Sequence, residues 1–222
     1  FIPFATICVL LGGTLLIQRS TSVAVILLGV ALVMYFASGA RLTYITGFVV
    51  VALGVITLII MATPYRRERV INFFRPEAEL MGSGFHRNQA RIAIGSGGLT
   101  GVGYGQSTTK MRFLPEPMGD SIFAVIAEEL GFIGAVSLLA LYAVLVLRLF
   151  MLAVRARDKF VQLAFAGFAS LIGTQTIINI GAISGVLPVT GVPLPFISYG
   201  GTALVAFLAV TGIAGQLSRY TE

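Results

Sequence analysis

The chain has 222 residues, of which 57% are hydrophobic and 11% are charged, with a formal net charge of +6. A soluble domain carries charge on about a quarter of its residues, so this composition excludes an ordinary water-soluble globular protein. The single cysteine, Cys8, excludes an internal disulfide. The composition therefore predicts an all-α fold, a polytopic bundle of membrane helices.

Six apolar runs approach the length of about 20 residues that a membrane helix needs. They cover residues 1–17, 22–39, 43–63, 121–147, 160–183 and 201–217. We accordingly divide the chain into 1–63 with three transmembrane helices, 64–120 as a large extracytoplasmic loop, and 121–222 with three more helices. The first run lacks the charged segment of a signal peptide, and we expect the chain to be the C-terminal portion of a longer protein.

Basic residues in the short connections predict the orientation. Arg148, Arg155, Arg157 and Lys159 lie in the connection 148–159 and place it in the cytoplasm. The polar stretch 64–120 then lies outside the cell, although it holds eight of the fifteen basic residues. Its charge suggests an anionic partner, such as a lipid phosphate or a pyrophosphate, and anchoring to lipid headgroups is an equally open interpretation.

The stretch "LPEPMGDSIFAVIAEELGF", residues 114–132, places Asp120 where a polar loop meets an apolar run. Asp120 has two open interpretations: an N-cap of the following helix, or a base at the membrane surface. Glu128 and Glu129 lie roughly 12–14 Å further along a helix. A glycosidase pair needs roughly 5–9.5 Å, so neither is a second catalytic carboxylate for Asp120. We expect both to be buried and hydrogen-bonded.

Two further patterns occupy the polar stretch and the fifth run. The glycine run "GSGGLTGVGYG", 95–105, lacks the Gly-Lys-Ser/Thr ending of a P-loop and predicts a tight loop with close backbone packing. Lys110 and Arg112 follow it, either as a cationic cluster near Asp120 or as a solvated loop face. Gln175 and Asn179 are expected to join helices by hydrogen bonds.

The stretch "GVPLPFISYGG", residues 191–201, interrupts the last two runs. Pro193 and Pro195 exclude a regular helix across it. Gly200 and Gly201 are predicted to allow a tight turn into the last helix. The pattern indicates a shaped, rigid loop at the outer surface.

These motifs together resemble the SEDS family, the shape, elongation, division and sporulation proteins FtsW, RodA and SpoVE. The stretch 191–201, including Ser198, resembles the family's signature loop, and 114–135 resembles the junction that carries its catalytic acid. Residues 82–116 match in their glycines, Gln89, Lys110 and Leu-Pro-Glu. Within the family, the chain resembles the FtsW-like division branch more than the RodA-like elongation branch. The family's Thr-Asp-Phe is Gly119-Asp120-Ser121 here, and "QRSTSV" replaces its "QPDLGT".

The resemblance implies a peptidoglycan glycosyltransferase of ten membrane helices, of which this chain supplies six, in the bacterial cytoplasmic (inner) membrane. Its substrate would be lipid II, and its partners a class B penicillin-binding protein and divisome or elongasome proteins. Asp120 would be the catalytic base. Candidate substrate-binding residues are Lys110, Arg112, Arg87, Arg91 and Gln89, and signature or structural residues are Pro193, Pro195, Ser198, Gly200, Gly201 and Glu129. No cofactor is implied with certainty, a divalent cation stays open, and no nucleic-acid partner is expected.

Two other functions stay open at this stage: a lipid II flippase and a non-catalytic division scaffold. A flippase needs a polar path through the bundle. Polar residues deep in the predicted helices are few, which disfavours it: Gln175, Asn179, Glu128 and Glu129.

Overall fold

The computed structural model describes residues 2–17, 21–74, 83–107 and 119–219. Every regular element within these ranges is an α-helix, which confirms the predicted all-α class. The helices are α1 (Ile2–Ile17), α2 (Thr21–Ala37), α3 (Leu42–Ala62), α4 (Pro64–Phe74), α5 (Ser83–Ser96), α6 (Ile122–Arg155), α7 (Lys159–Ser184) and α8 (Gly201–Ser218).

Each of the six predicted apolar runs overlaps one of these helices, with ends that agree to within two residues except that α6 continues to Arg155. Four of them, α3, α6, α7 and α8, are long and apolar enough to cross a membrane. Helices α1 and α2 are equally apolar in character but measure 16 and 17 residues as described. Helix α3 buries only Ile45 among its described side chains, although it is apolar along its length.

The described part of the polar stretch, residues 64–74, 83–107 and 119–120, contains the helices α4 and α5 where the sequence predicted a loop. Pro64 is the first residue of α4, and the carbonyl of Thr63 accepts a hydrogen bond from the Arg67 N–H at 3.0 Å. Proline is favoured at the first helical position because its φ is preset and its missing N–H would have no partner there. Proline thus starts a helix within the stretch that the sequence predicted to be a loop.

Two compact units share the described residues. One holds α1, α2, α3 up to Thr57, α6 from Ala143, α7 up to Gln175 and α8 from Ala206. Within it, the Phe4 ring of α1 stacks on Tyr35 of α2 with centroids 4.3 Å apart. The other holds the polar stretch, α6 up to Tyr142, α7 from Thr176, and the loop that leads into α8. All the polar contacts around Asp120 that follow lie within this second unit.

Helix α6 is broken at Gly131, where φ is 68° and ψ is −167°. A break inside an apolar helix releases backbone donors and acceptors that hydrocarbon cannot satisfy. The glycine run that follows α5 supplies hydrogen-bond partners for these groups. Its hydrogen bonds with α6 join Val102 N to Glu128 O at 3.0 Å, Gly103 N to Glu129 O at 3.1 Å, Phe132 N to Gly98 O at 2.9 Å and Ile133 N to Leu99 O at 3.1 Å.

This close approach requires glycine on both sides. A Cβ atom at Gly97 would stand 2.0 Å from the Ala127 carbonyl oxygen, and one at Gly101 would stand 2.1 Å from the Glu129 carbonyl oxygen. A Cβ at Gly131 would lie 2.3 Å from the Gly101 nitrogen. The glycine run is therefore a tight loop packed backbone to backbone, as the sequence predicted, and its partner is the break in α6.

Candidate active site

Asp120 is half-buried and lies two residues before the start of α6, separated from it by the buried Ser121. Among the described residues, its carboxylate accepts no main-chain N–H from the first turn of α6. The one described hydrogen bond to it comes from the Ser121 hydroxyl, which lies 3.5 Å from Oδ1. The Ala124 N–H bonds to the Ser121 carbonyl instead, at 2.9 Å. The N-cap interpretation of Asp120 is therefore wrong for the described contacts, and the carboxylate is not used to start the helix.

The main chain on either side of the Asp120 Cα is held by two buried side chains. The Ser198 hydroxyl donates to the Gly119 carbonyl at 2.6 Å. The Asn179 amide donates from Nδ2 to the Asp120 carbonyl at 2.9 Å and to the Val192 carbonyl at 2.6 Å. Ser198 belongs to the predicted signature loop, and Asn179 to α7. Asn179 was expected to join helices, but its partners are carbonyls outside the helices.

The signature loop 191–201 is held in an irregular conformation. Pro195 is fully buried, and its carbonyl accepts a hydrogen bond from the Tyr142 hydroxyl of α6. The Ser198 N–H bonds back to the Leu194 carbonyl at 3.1 Å, which closes a turn. Phe196 within that turn has φ of +66°, a strained conformation for a bulky residue. No helix forms between Ser184 and Gly201, so the effect predicted for Pro193 and Pro195 is confirmed.

The predicted role of Gly200 and Gly201 is wrong. Neither has a positive φ, and a Cβ at Gly201 would meet nothing within 4 Å. The chain reverses earlier, through Phe196, and Gly200 only supplies the carbonyl that the Leu204 N–H bonds at 2.9 Å. The glycine that the geometry does require is Gly191, with φ of +64°. A Cβ on Gly191 would stand 3.8 Å from Oδ2 of Asp120, so this glycine borders the carboxylate.

Glu128 and Glu129 are both buried on α6, immediately before the break. The Ser107 hydroxyl donates to Glu128 Oε2 at 2.5 Å, and both of these side chains are 2% exposed. The main-chain carbonyls of the two glutamates also accept hydrogen bonds from the N–H groups of Val102 and Gly103 in the glycine run. Their burial agrees with the expectation that intramembrane acids face protein.

The predicted basic residues are placed only in part. Lys110 and Arg112 lie outside the described residues. Arg87 lies on α5 with its side chain outside the described part, Arg91 on α5 is exposed, and Gln89 is half-buried. No described hydrogen bond or ion pair links Gln89 or Arg91 to Asp120. Within the described ranges, no group of three His, Cys, Asp or Glu side chains is arranged to hold a metal ion.

Sequence reasoning missed two residues of this site. Tyr142 lies in the middle of a long apolar run and gives no signal of its own. Asn179 does give one, because an amide in an apolar helix needs a hydrogen-bond partner. The sequence indicates that Asn179 needs a partner, but it does not indicate that this partner is the Asp120 carbonyl, 59 residues earlier in the chain.

The fold and the site together define a multi-pass membrane protein with a half-buried aspartate just before an apolar helix, and a proline-rich loop holds the main chain beside this aspartate. The model of the cell cycle protein family of FtsW, RodA and SpoVE matches residues 1–222. The chain belongs to this family, as its motifs predicted.

Curated relatives agree with that assignment. The chain is 38% identical to the stage V sporulation protein E of Bacillus subtilis over 205 residues, covering 92% of this chain and 56% of that protein. It is 39% identical to the probable peptidoglycan glycosyltransferase FtsW of Geobacter metallireducens, with 98% and 58% covered. It is 41% identical to the peptidoglycan glycosyltransferase MrdB of Escherichia coli K12, with 91% and 55% covered. The chain thus spans somewhat more than half the length of these relatives.

Solved structures show the same fold. A chain of a peptidoglycan synthase complex, studied for its coordination of polymerization and crosslinking, matches with a TM-score of 0.81 and 33% identity. This match covers 98% of the present chain and 61% of the other. A mutant of the rod shape determining protein RodA of Thermus thermophilus matches with a TM-score of 0.66 and 28% identity, covering 99% and 56%.

Proposed function

We propose that the complete protein is a peptidoglycan glycosyltransferase that polymerises lipid II into glycan strands at the outer face of the bacterial cytoplasmic membrane. The observation that carries this proposal is Asp120. This residue is half-buried just before the start of an apolar helix, its carboxylate makes no described helix-capping bond, and its main chain is held on both sides. Relatives named as peptidoglycan glycosyltransferases support the same activity.

Asp120 acts as the general base in this reaction. Its carboxylate takes the proton from the attacking sugar hydroxyl as that oxygen forms a bond to the anomeric carbon of the growing strand. The bond from this carbon to the lipid pyrophosphate breaks, and the pyrophosphate leaves with the electron pair. A positioned base contributes roughly 10²–10⁴ in rate.

The leaving pyrophosphate requires positive charge nearby, because negative charge builds up on it in the transition state. Lys110 and Arg112 are the first candidates, followed by Arg87 and Arg91, with Gln89 as a polar contact to the substrate. Asp120 and these cations lie in or beside the same polar stretch of the sequence. The partner that fits this activity is a class B penicillin-binding protein, within a division or elongation complex. The likeness to a chain of a peptidoglycan synthase complex supports such a partner.

The activity is tested by giving the purified complete protein fluorescently labelled lipid II and separating the products by size. We expect glycan strands many disaccharides long. A second measurement follows labelled lipid II across the membrane of sealed vesicles. Transport of lipid II without glycan synthesis would show that the protein is a flippase and not a polymerase. The absence of both activities, with partner binding intact, would show that it is a scaffold.

The orientation is tested by cysteine labelling in a Cys8→Ala background. Tyr104→Cys places a thiol at a position that is 89% exposed in the glycine loop. We expect an impermeant maleimide to label it in intact spheroplasts. Ala156→Cys, which keeps all four basic residues of its connection, should react only after the membrane is permeabilised. The reverse pattern would place Asp120 on the cytoplasmic side and contradict the proposed function.

A further inference from the structure

Asn179 holds two main-chain segments with one amide. The side chain is 1% exposed, and its Nδ2 donates to the carbonyls of Asp120 and Val192. Because both neighbours are acceptors, only the NH₂ end of the amide can face them, which fixes the orientation of the amide. Asn179 therefore ties the residue that follows Gly191 to the residue that carries the candidate base.

Ser198 makes the matching contact on the other side of the same Cα atom. Its hydroxyl donates to the Gly119 carbonyl at 2.6 Å and accepts the Leu194 N–H at 2.7 Å. The carbonyls of Gly119 and Asp120 belong to the two planar peptides that meet at the Asp120 Cα. Holding both planes fixes the direction of the Cα–Cβ bond, so that only two side-chain torsions remain to place the carboxylate.

The chemistry of Asn179 favours a role beyond packing. Its Oδ1 is buried and has no hydrogen-bond partner among the described residues. A buried acceptor without a partner is costly, and an aliphatic side chain of similar size would avoid that cost. The buried Oδ1 therefore costs stability, while the NH₂ group at the other end of the amide donates two hydrogen bonds to main-chain carbonyls.

We propose that Asn179 and Ser198 are positioning residues that aim the Asp120 carboxylate through its own main chain. This inference rests on the proposed function, since aiming matters only if Asp120 acts as a base. The hydrogen bonds of both side chains go to main-chain groups, so the role assigned to them is to position Asp120. A misplacement of about 1 Å can cost roughly 100-fold in rate, so a loss of either anchor should appear in the chemical step.

The test compares kcat and KM for lipid II polymerisation by the complete protein. We expect Asn179→Ala and Ser198→Ala to lower kcat roughly 10- to 100-fold with little change in KM, because the proposed substrate-binding residues are left unchanged. Asn179→Asp should be at least as slow, since it turns acceptors toward two carbonyls. Ser198→Thr keeps the hydroxyl and should retain more activity than Ser198→Ala.

Ser170→Ala is the matched control. Ser170 lies on α7 as well, is 5% exposed, and donates at 2.6 Å, but to the Ala166 carbonyl of its own helix. It should leave kcat and KM unchanged. If Asn179→Ala does not accumulate in the membrane, the Ser198→Ala and Ser198→Thr pair makes the same comparison.

Hydrogen–deuterium exchange separates this inference from the proposed function. Exchange in a peptide covering 119–125 should be faster in Asn179→Ala than in wild type, and unchanged in Ser170→Ala. Unchanged exchange, or an unchanged kcat in both alanine variants while Asp120→Asn is inactive, would overturn the positioning role. A wild-type protein that makes no glycan would contradict the proposed function, and Asn179 and Ser198 would then have no catalytic base to position. The exchange data would still show whether these two residues hold the segment 119–125.

Discussion

Asp120→Asn is expected to lower glycan synthesis by about 100-fold or more, because the substitution keeps the shape of the side chain and removes the proton acceptor. Asp120→Ala should be equally inactive. Asp120→Glu should lie between them and the wild type, since it keeps the carboxylate but moves it outward by one methylene group. The measurement is the initial rate of lipid II polymerisation at matched protein concentration in the membrane.

A second aspartate of the chain provides the control. Asp158 is exposed and caps α7, where its Oδ1 accepts the N–H groups of Phe160 at 2.8 Å and Val161 at 3.1 Å. Asparagine caps helices as well as aspartate does, so Asp158→Asn should preserve both the fold and the rate. Wild-type rates in both Asp120→Asn and Asp120→Ala would refute the assignment of Asp120 as the base, even if the wild-type protein polymerises lipid II.

The contrast between these two aspartates shows what the sequence can predict. Both precede an apolar run, and the N-cap interpretation applies equally well to each. Asp158 caps its helix, whereas Asp120 does not. The difference arises because the main chain at Asp120 is held by Asn179 and Ser198, which come from distant parts of the chain. No local pattern encodes that tertiary contact.

The apolar runs were predictable for the opposite reason. Hydrocarbon forces each spanning segment to satisfy its backbone internally, so composition alone is enough to place the helices. The same rule explains why the sequence could not show that α6 is broken. Its apolar composition continues across Gly131, and only a second segment that supplies the lost hydrogen bonds makes the break tolerable. The run 95–105 predicted a close backbone approach but not the helix that it approaches.

Replacement of Gly131 by alanine should therefore have the largest effect on the fold. Its φ of 68° and ψ of −167° lie in a region that essentially only glycine adopts, and alanine there costs about 1–3 kcal/mol. The new Cβ would also stand 2.3 Å from the Gly101 nitrogen, so the glycine loop would have to move. Four hydrogen bonds between the glycine run and α6 depend on that contact, each contributing about 1 kcal/mol. We expect little folded protein in the membrane and a strongly lowered melting temperature in detergent.

Gly101→Ala should reproduce this loss from the other side of the contact, because its φ is +82° and its Cβ would stand 2.1 Å from the Glu129 carbonyl oxygen. Gly54→Ala is the matched control: Gly54 lies within α3, and a Cβ there would meet nothing within 4 Å. It should melt at or slightly above the wild-type temperature, since alanine favours the helix. If Gly131→Ala melted like Gly54→Ala, the loop would not be what supports the broken helix. A loss confined to Gly131→Ala and Gly101→Ala would instead show that the segment carrying the polar stretch is fastened to the helix that begins beside Asp120.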